Sequence, residues 1–210
     1  MNVKFFISKF PKPIRLRITT IISDGEVFFW KFNNSPLPMP HKKKVEIIRN
    51  YAKKYSLKIF VETGTYLGQT VDDLSKDFKT VYSIELDKKL ATQAKKNFLE
   101  SKNVKIFQGD SSKVLKKIVP GLNQPTLFWL DAHYSGGITA KGTKDTPIIE
   151  ELNIISKNLI GGSAILIDDA REFTGHGDYP KIERIKNFVS LKMKKYKMSV
   201  KDDIIRIYPK

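Results

Sequence analysis

Five times along this chain a short apolar run gives way to a stretch whose apolar residues recur every three or four positions. The runs are "KIFVE" (58–62), "TVYSIEL" (80–86), "NVKIFQG" (103–109), "TLFWLDA" (126–132) and "GGSAILIDDA" (161–170). The amphipathic stretches after them cover 68–78, 88–101, 111–119, 146–158 and 180–193. A further one at 42–56 precedes the first run and sets Val45, Ile48 and Tyr51/Ala52 on one face with lysines on the other. Pro147 falls in the first turn of the 146–158 helix, where a missing N–H is tolerated. The alternation predicts an α/β fold: a doubly wound, mostly parallel sheet with helices on both faces. The last residues, "KMSVKDDIIRIYPK", add an antiparallel strand pair turning around Lys201–Asp203, which makes seven strands. No internal repeat is visible.

A chain of 210 residues suits one well-buried core and is short for two domains. Its 40% apolar and 11% aromatic residues are enough to fold. The lack of cysteine excludes disulfides, thiolate metal sites and a cysteine nucleophile, and fits a cytosolic location. No apolar run approaches the roughly 18 residues of a membrane-spanning helix. The opening "MNVKFFISKFPKPIRLRITTIIS" lacks the cleavage site of a signal peptide. Residues 1–40 read as a basic extension or lid ending in the proline-broken "SPLPMPH", and 41–210 as the folded domain.

The formal charge of +16 is unevenly spread: residues 1–57 carry +9, 181–210 carry +7, and 58–180 are neutral. Ends like these suit a phosphate-bearing partner or an anionic membrane surface, or form a solvated surface.

In a doubly wound sheet, ligands sit outside the carboxyl ends of the strands. There the first run ends in "ETGTYLG": a carboxylate, Glu62, then Gly64 and Gly68. A glycine turn lets main chain approach a ligand and sets a helix N-terminus beside it. The dinucleotide pattern G-x-G-x-x-G is absent, which disfavours a nicotinamide dehydrogenase. Glu62 would repel a pyrophosphate and attract a cation with an amino-acid head, such as S-adenosylmethionine. The second strand ends in Glu85, where an acid accepts from ribose hydroxyls. The third ends in "GDSS", which puts Asp110 and Ser111 where an adenine amino group would lie. Taken singly, an acid at a strand's carboxyl end is more often a helix cap than a ligand contact, and a lone glycine turn can be only a turn.

The stretches "VETGTYLG", "SIELD", "GDSS" and "FWLDAH" resemble motifs of the class I S-adenosylmethionine-dependent methyltransferases, over roughly residues 40–210. The resemblance implies a Rossmann-like methyltransferase fold. It also implies cofactor contacts from Glu62, Thr63, Gly64, Tyr66, Gly68, Thr70, Glu85, Leu86, Asp110, Ser111 and Asp131. It does not name the acceptor.

Strand four ends in Asp131 with His133 beyond it, and strand five ends in Asp168 and Asp169. With the family's strand order, the three carboxylates converge and call for a hard cation such as Mg²⁺. The pattern is similar to that of the metal-dependent O-methyltransferases acting on sugars of macrolide- and aminocoumarin-type natural products. In those enzymes a second acid often follows the first Asp by two residues; here that position is His133. Either His133 or Asp131 is then the base, and the acceptor is a hydroxyl of a sugar or glycan.

Two polar loops, 133–145 and 171–180, are expected to shape the acceptor site. Arg171, Lys141 and Lys144 would favour a nucleotide- or lipid-linked acceptor, and His176 and Asp178 lie nearby in sequence. His41 is not expected to be catalytic. Two rivals stay open. An RNA methyltransferase would use the basic ends, although the central segment is neutral. A non-catalytic cofactor-binding module would not need the three acids.

Overall fold

The computed structural model describes residues 12–131 and 146–210, with side chains from Ile22 onward. The chain divides into two compact units, Met1–Ile47 and Ile48–Lys210.

The first unit contains helix α1, Lys12–Phe32, and the start of α2, His41–Lys54. The sequence pattern assigned no element to residues 1–40, where α1 lies. Past its end, Trp30 Nε1 donates to the Pro36 carbonyl at 2.6 Å.

The second unit is a seven-stranded sheet flanked by helices. The strands are β1 Ile59–Thr63, β2 Thr80–Glu85, β3 Val104–Gln108, β4 Thr126–Leu130, β5 Ala164–Ile167, β6 Tyr196–Lys201 and β7 Ile204–Pro209. The helices between them are α3 Gln69–Leu74, α4 Lys88–Asn97, α5 Ser111–Ile118, α6 Ile148–Asn158 and α7 Ile182–Lys192. The strand order is β3-β2-β1-β4-β5-β7-β6. The first five strands are parallel, and β7 runs antiparallel to both β5 and β6. Pro147 stands just outside α6 as its N-cap rather than inside the first turn.

Burial explains why the central strands read as continuous apolar runs. Every residue of β1, β4 and β5 is buried, as expected when helices cover both faces. On one face Val61, Phe128, Ile165 and Ile205 pack with Leu115 of α5, Leu152 of α6 and Ile185 of α7. On the other, the Phe60 and Phe78 rings stack at 5.0 Å.

Candidate active site

The order of the strands sets the site. β1 and β4 are neighbours whose onward connections lead in opposite directions, to β2 and to β5, which opens a crevice at the carboxyl edge. The turn after β1 fills that crevice. Gly64, Tyr66 and Gly68 all take left-handed conformations, at φ 89°, 49° and 77°. Gly68 also leads into α3 against the Phe98 ring, and a Cβ there would stand 2.9 Å from a ring carbon.

Acid side chains hold this turn. Glu85 accepts from the Tyr66 main-chain N–H at 2.7 Å and from that of Asp87 at 2.8 Å, one on each oxygen. A carboxylate offers about four acceptor positions, so capacity remains on both oxygens. Glu62 is 1% exposed and accepts from Ser83 Oγ at 2.5 Å. Burial pushes its pKa up to about 8; the Asp131 and Glu85 charges add to this, while hydrogen bonds to Ser83 and Thr70 oppose it. A positive charge placed beside Glu62 would favour its ionised form.

Asp110 is the N-cap of α5, and its Oδ1 accepts from the Ser112 N–H at 2.9 Å and the Ser112 hydroxyl at 2.6 Å. Burial would raise its pKa, but these bonds and that of Lys113 outweigh it and hold the carboxyl low. Capping therefore engages one oxygen of the residue expected beside adenine.

Register brings the remaining acids together. Leu130 of β4 lies opposite Ile167 of β5, so the residues that follow, Asp131 and Asp168, leave the sheet side by side. The ladder continues into them: Asp131 N–H donates to Thr63 O at 3.0 Å, and Asp168 N–H to Leu130 O at 3.1 Å. With Asp169 they offer carboxylate oxygens that all lie within 4.8 Å of one another. Asp169 is left-handed at φ 52°, and its N–H donates to Asp168 Oδ1 at 2.9 Å.

No family model matches the sequence, but solved structures match the fold. The chain is similar to an O-methyltransferase from Bacillus cereus in complex with SAH, at TM-score 0.60 and 16% identity over 99% of this chain and 97% of that one. It is similar to TomG, an O-methyltransferase from Streptomyces achromogenes involved in tomaymycin synthesis and solved with SAM. The TM-score there is 0.58, with 14% identity over 89% and 88%. It is also similar to the SAH-bound methyltransferase PaMTH1 of Podospora anserina, at 0.57 and 17% over 96% and 97%. The chain has the methyltransferase fold.

Within this fold the expected residues group on one edge. Glu62, Thr63, Gly64, Tyr66, Gly68 and Thr70 come from β1 and its turn; Glu85 and Leu86 end β2; Asp110 and Ser111 follow β3; and Asp131, Asp168 and Asp169 follow β4 and β5. His133, Lys141 and Lys144 lie outside the described residues. Arg171, expected near the acceptor, engages two of the neighbouring acids. Its Nη1 donates to Asp169 Oδ1 at 2.9 Å and pairs with Asp203, while its main-chain N–H bonds Asp203 Oδ1 at 2.8 Å.

Two residues near the site escaped the sequence reading. Asp203, in the β6–β7 turn, pairs with Arg171, which in turn donates to Asp169. Glu151 of α6, 1% exposed, faces the hydroxyls of Thr63 and Ser111, yet neither its Oε1 nor Thr63 Oγ1 completes a hydrogen bond. Burial, with the Asp110 and Glu150 charges adding, pushes its pKa up to about 7, against the two hydroxyls.

Proposed function

We propose that this chain is an S-adenosylmethionine-dependent O-methyltransferase, assisted by a divalent cation such as Mg²⁺, whose acceptor is a hydroxyl of a sugar or glycan. The observation that carries this reading is the meeting of Asp131, Asp168 and Asp169, with oxygens within 4.8 Å, beside the glycine turn. Three like charges so close favour a positive species among them, and an all-oxygen set suits a hard cation. Glu62 argues for the cofactor's sign: a cationic head beside this buried carboxyl would offset the burial that raises its pKa and favour the carboxylate, whereas a phosphate would raise the pKa further.

When bound, S-adenosylmethionine supplies a methyl group on a sulfonium, and the cation supplies Lewis acidity toward an acceptor oxygen. The chain's residues do the rest. Glu62 would hold the ammonium group, and Gly64 and Gly68 allow close main-chain approach. Glu85 would use its remaining lone pairs on the ribose hydroxyls, and Asp110 and Ser111 would border the adenine. Asp168 and Asp169 would hold the cation, with Arg171 fixing the Asp169 carboxylate. Asp131, or His133 two residues on, would take the acceptor's proton. Two neighbouring sugar hydroxyls give the paired oxygens that such a cation chelates.

The test is calorimetric titration with S-adenosylmethionine, with and without Mg²⁺, on wild type and on Asp168→Asn/Asp169→Asn. Asn suits the left-handed φ of Asp169 better than Ala does. Both proteins should bind the cofactor, and only the wild type should give an Mg²⁺ heat. Cofactor binding without that heat would return metal-free and RNA-directed methylation to contention. Absence of cofactor binding would overturn the reading.

A further inference from the structure

The second half of α1 presents large apolar side chains to solvent. Phe28, Phe29 and Phe32 are 66%, 64% and 77% exposed, and Leu37 just beyond is 51% exposed. The Phe28 and Phe29 rings meet edge to face at 5.8 Å, so the patch is contiguous. Ile22, Gly25, Phe29 and Phe32 recur at helical spacing along the same stretch. Three exposed phenylalanines within five residues are more than the scattered apolar residues of an ordinary surface.

Charge decides what covers them. The first 23 residues carry Lys4, Lys9, Lys12, Arg15 and Arg17 and no acid, and residues 1–57 carry +9. A second copy of this segment would bring another +9 against it, whereas an anionic lipid surface is attracted. The helix has 21 residues, long enough in principle to cross a bilayer. It carries six charged residues, however, and no helix among the described residues is apolar enough to span one. A helix with basic charges and an aromatic patch lies in the interface plane instead.

We propose that α1 docks the protein on an anionic membrane surface, with Phe28, Phe29 and Phe32 entering the headgroup layer and the upstream basic residues meeting acidic lipids. This would hold the enzyme beside lipid-linked acceptors, but the docking stands independently of the methyl-transfer reading.

The experiment is flotation of the full chain with phosphatidylcholine vesicles, with and without phosphatidylglycerol, alongside Phe28→Ser/Phe29→Ser/Phe32→Ser. That variant keeps every charge and changes only exposed side chains. Wild type should bind the anionic vesicles at least about tenfold better than neutral ones, and the variant should lose most of that binding. S-adenosylmethionine titration of both proteins reports separately on the sheet unit. No preference for anionic vesicles, or equal binding by the variant, would overturn the proposal. A wild-type dimer in sedimentation that the variant lacks would do so too, by assigning the face to a second copy.

Discussion

Glu151 shows how a single buried group leaves its mark on stability. Its carboxyl is 1% exposed, and its folded pKa of about 7 lies above the ordinary 4.5 because burial penalises the charge. Between those values the folded chain keeps a proton that the unfolded chain has lost, so stability falls as pH rises. The stabilising contribution is therefore full below pH 4.5, is lost as pH passes about 7, and amounts to roughly 3 kcal/mol at most. Glu151→Gln stays neutral throughout. The stability of wild type relative to this variant should decline from pH 4.5 to 7 and level off above about 8, as read by urea denaturation. Glu62 titrates in an overlapping window, but both proteins carry it and it cancels in the difference. A pH-independent difference would mean that Glu151 ionises normally. In the sequence this residue reads as the twin of its neighbour Glu150; only the packing of α6 over Thr63 and Ser111 separates the two.

At the scale of elements, the glycine turn is where local geometry limits substitution. Gly68→Ala meets two penalties: a left-handed φ of 77° and a Cβ 2.9 Å from the buried Phe98 ring. Together these should cost about 2–4 kcal/mol, measured by urea denaturation, and should weaken cofactor binding by displacing the start of α3. Gly161→Ala has nothing within 4 Å and no such φ, and should be near neutral. The same turn was legible in the sequence because glycine spacing is local information, as were all five parallel strands and the helices between them. Helix α1 was not. Its "ITTII" and "VFFW" runs and Gly25 carry low helix propensity, and Pro11 and Pro13 read as breaks rather than as a helix start. The contact of Arg171 with Asp203 was illegible for a different reason. The two stand 32 residues apart and meet because β7 inserts beside β5, a placement that no local pattern encodes.

For the molecule as a whole, the three acids converge because two parallel strands share a register, so their charges bear on global stability as well as on chemistry. Without a cation, like charges within 4.8 Å work against the fold, and Arg171 offsets them through Asp169. Asp168→Asn/Asp169→Asn removes that repulsion, keeps side-chain acceptors for the Asp169 N–H and Arg171, and leaves Arg171 its pairing with Asp203. In chelator the variant should therefore melt at or above the wild-type temperature. A cation that binds only the folded wild type stabilises it by about 2.7 kcal/mol at a hundred times its dissociation constant, which raises Tm by roughly 5–10 °C for a chain of this size. The variant should gain little, so the two melting temperatures should exchange order when Mg²⁺ or Mn²⁺ replaces chelator in a thermal scan. If the acids served only to shape the turns after β4 and β5, the variant would melt lower in both conditions by the same amount. A crossing of the two curves is an outcome that a purely structural role for these carboxylates does not produce.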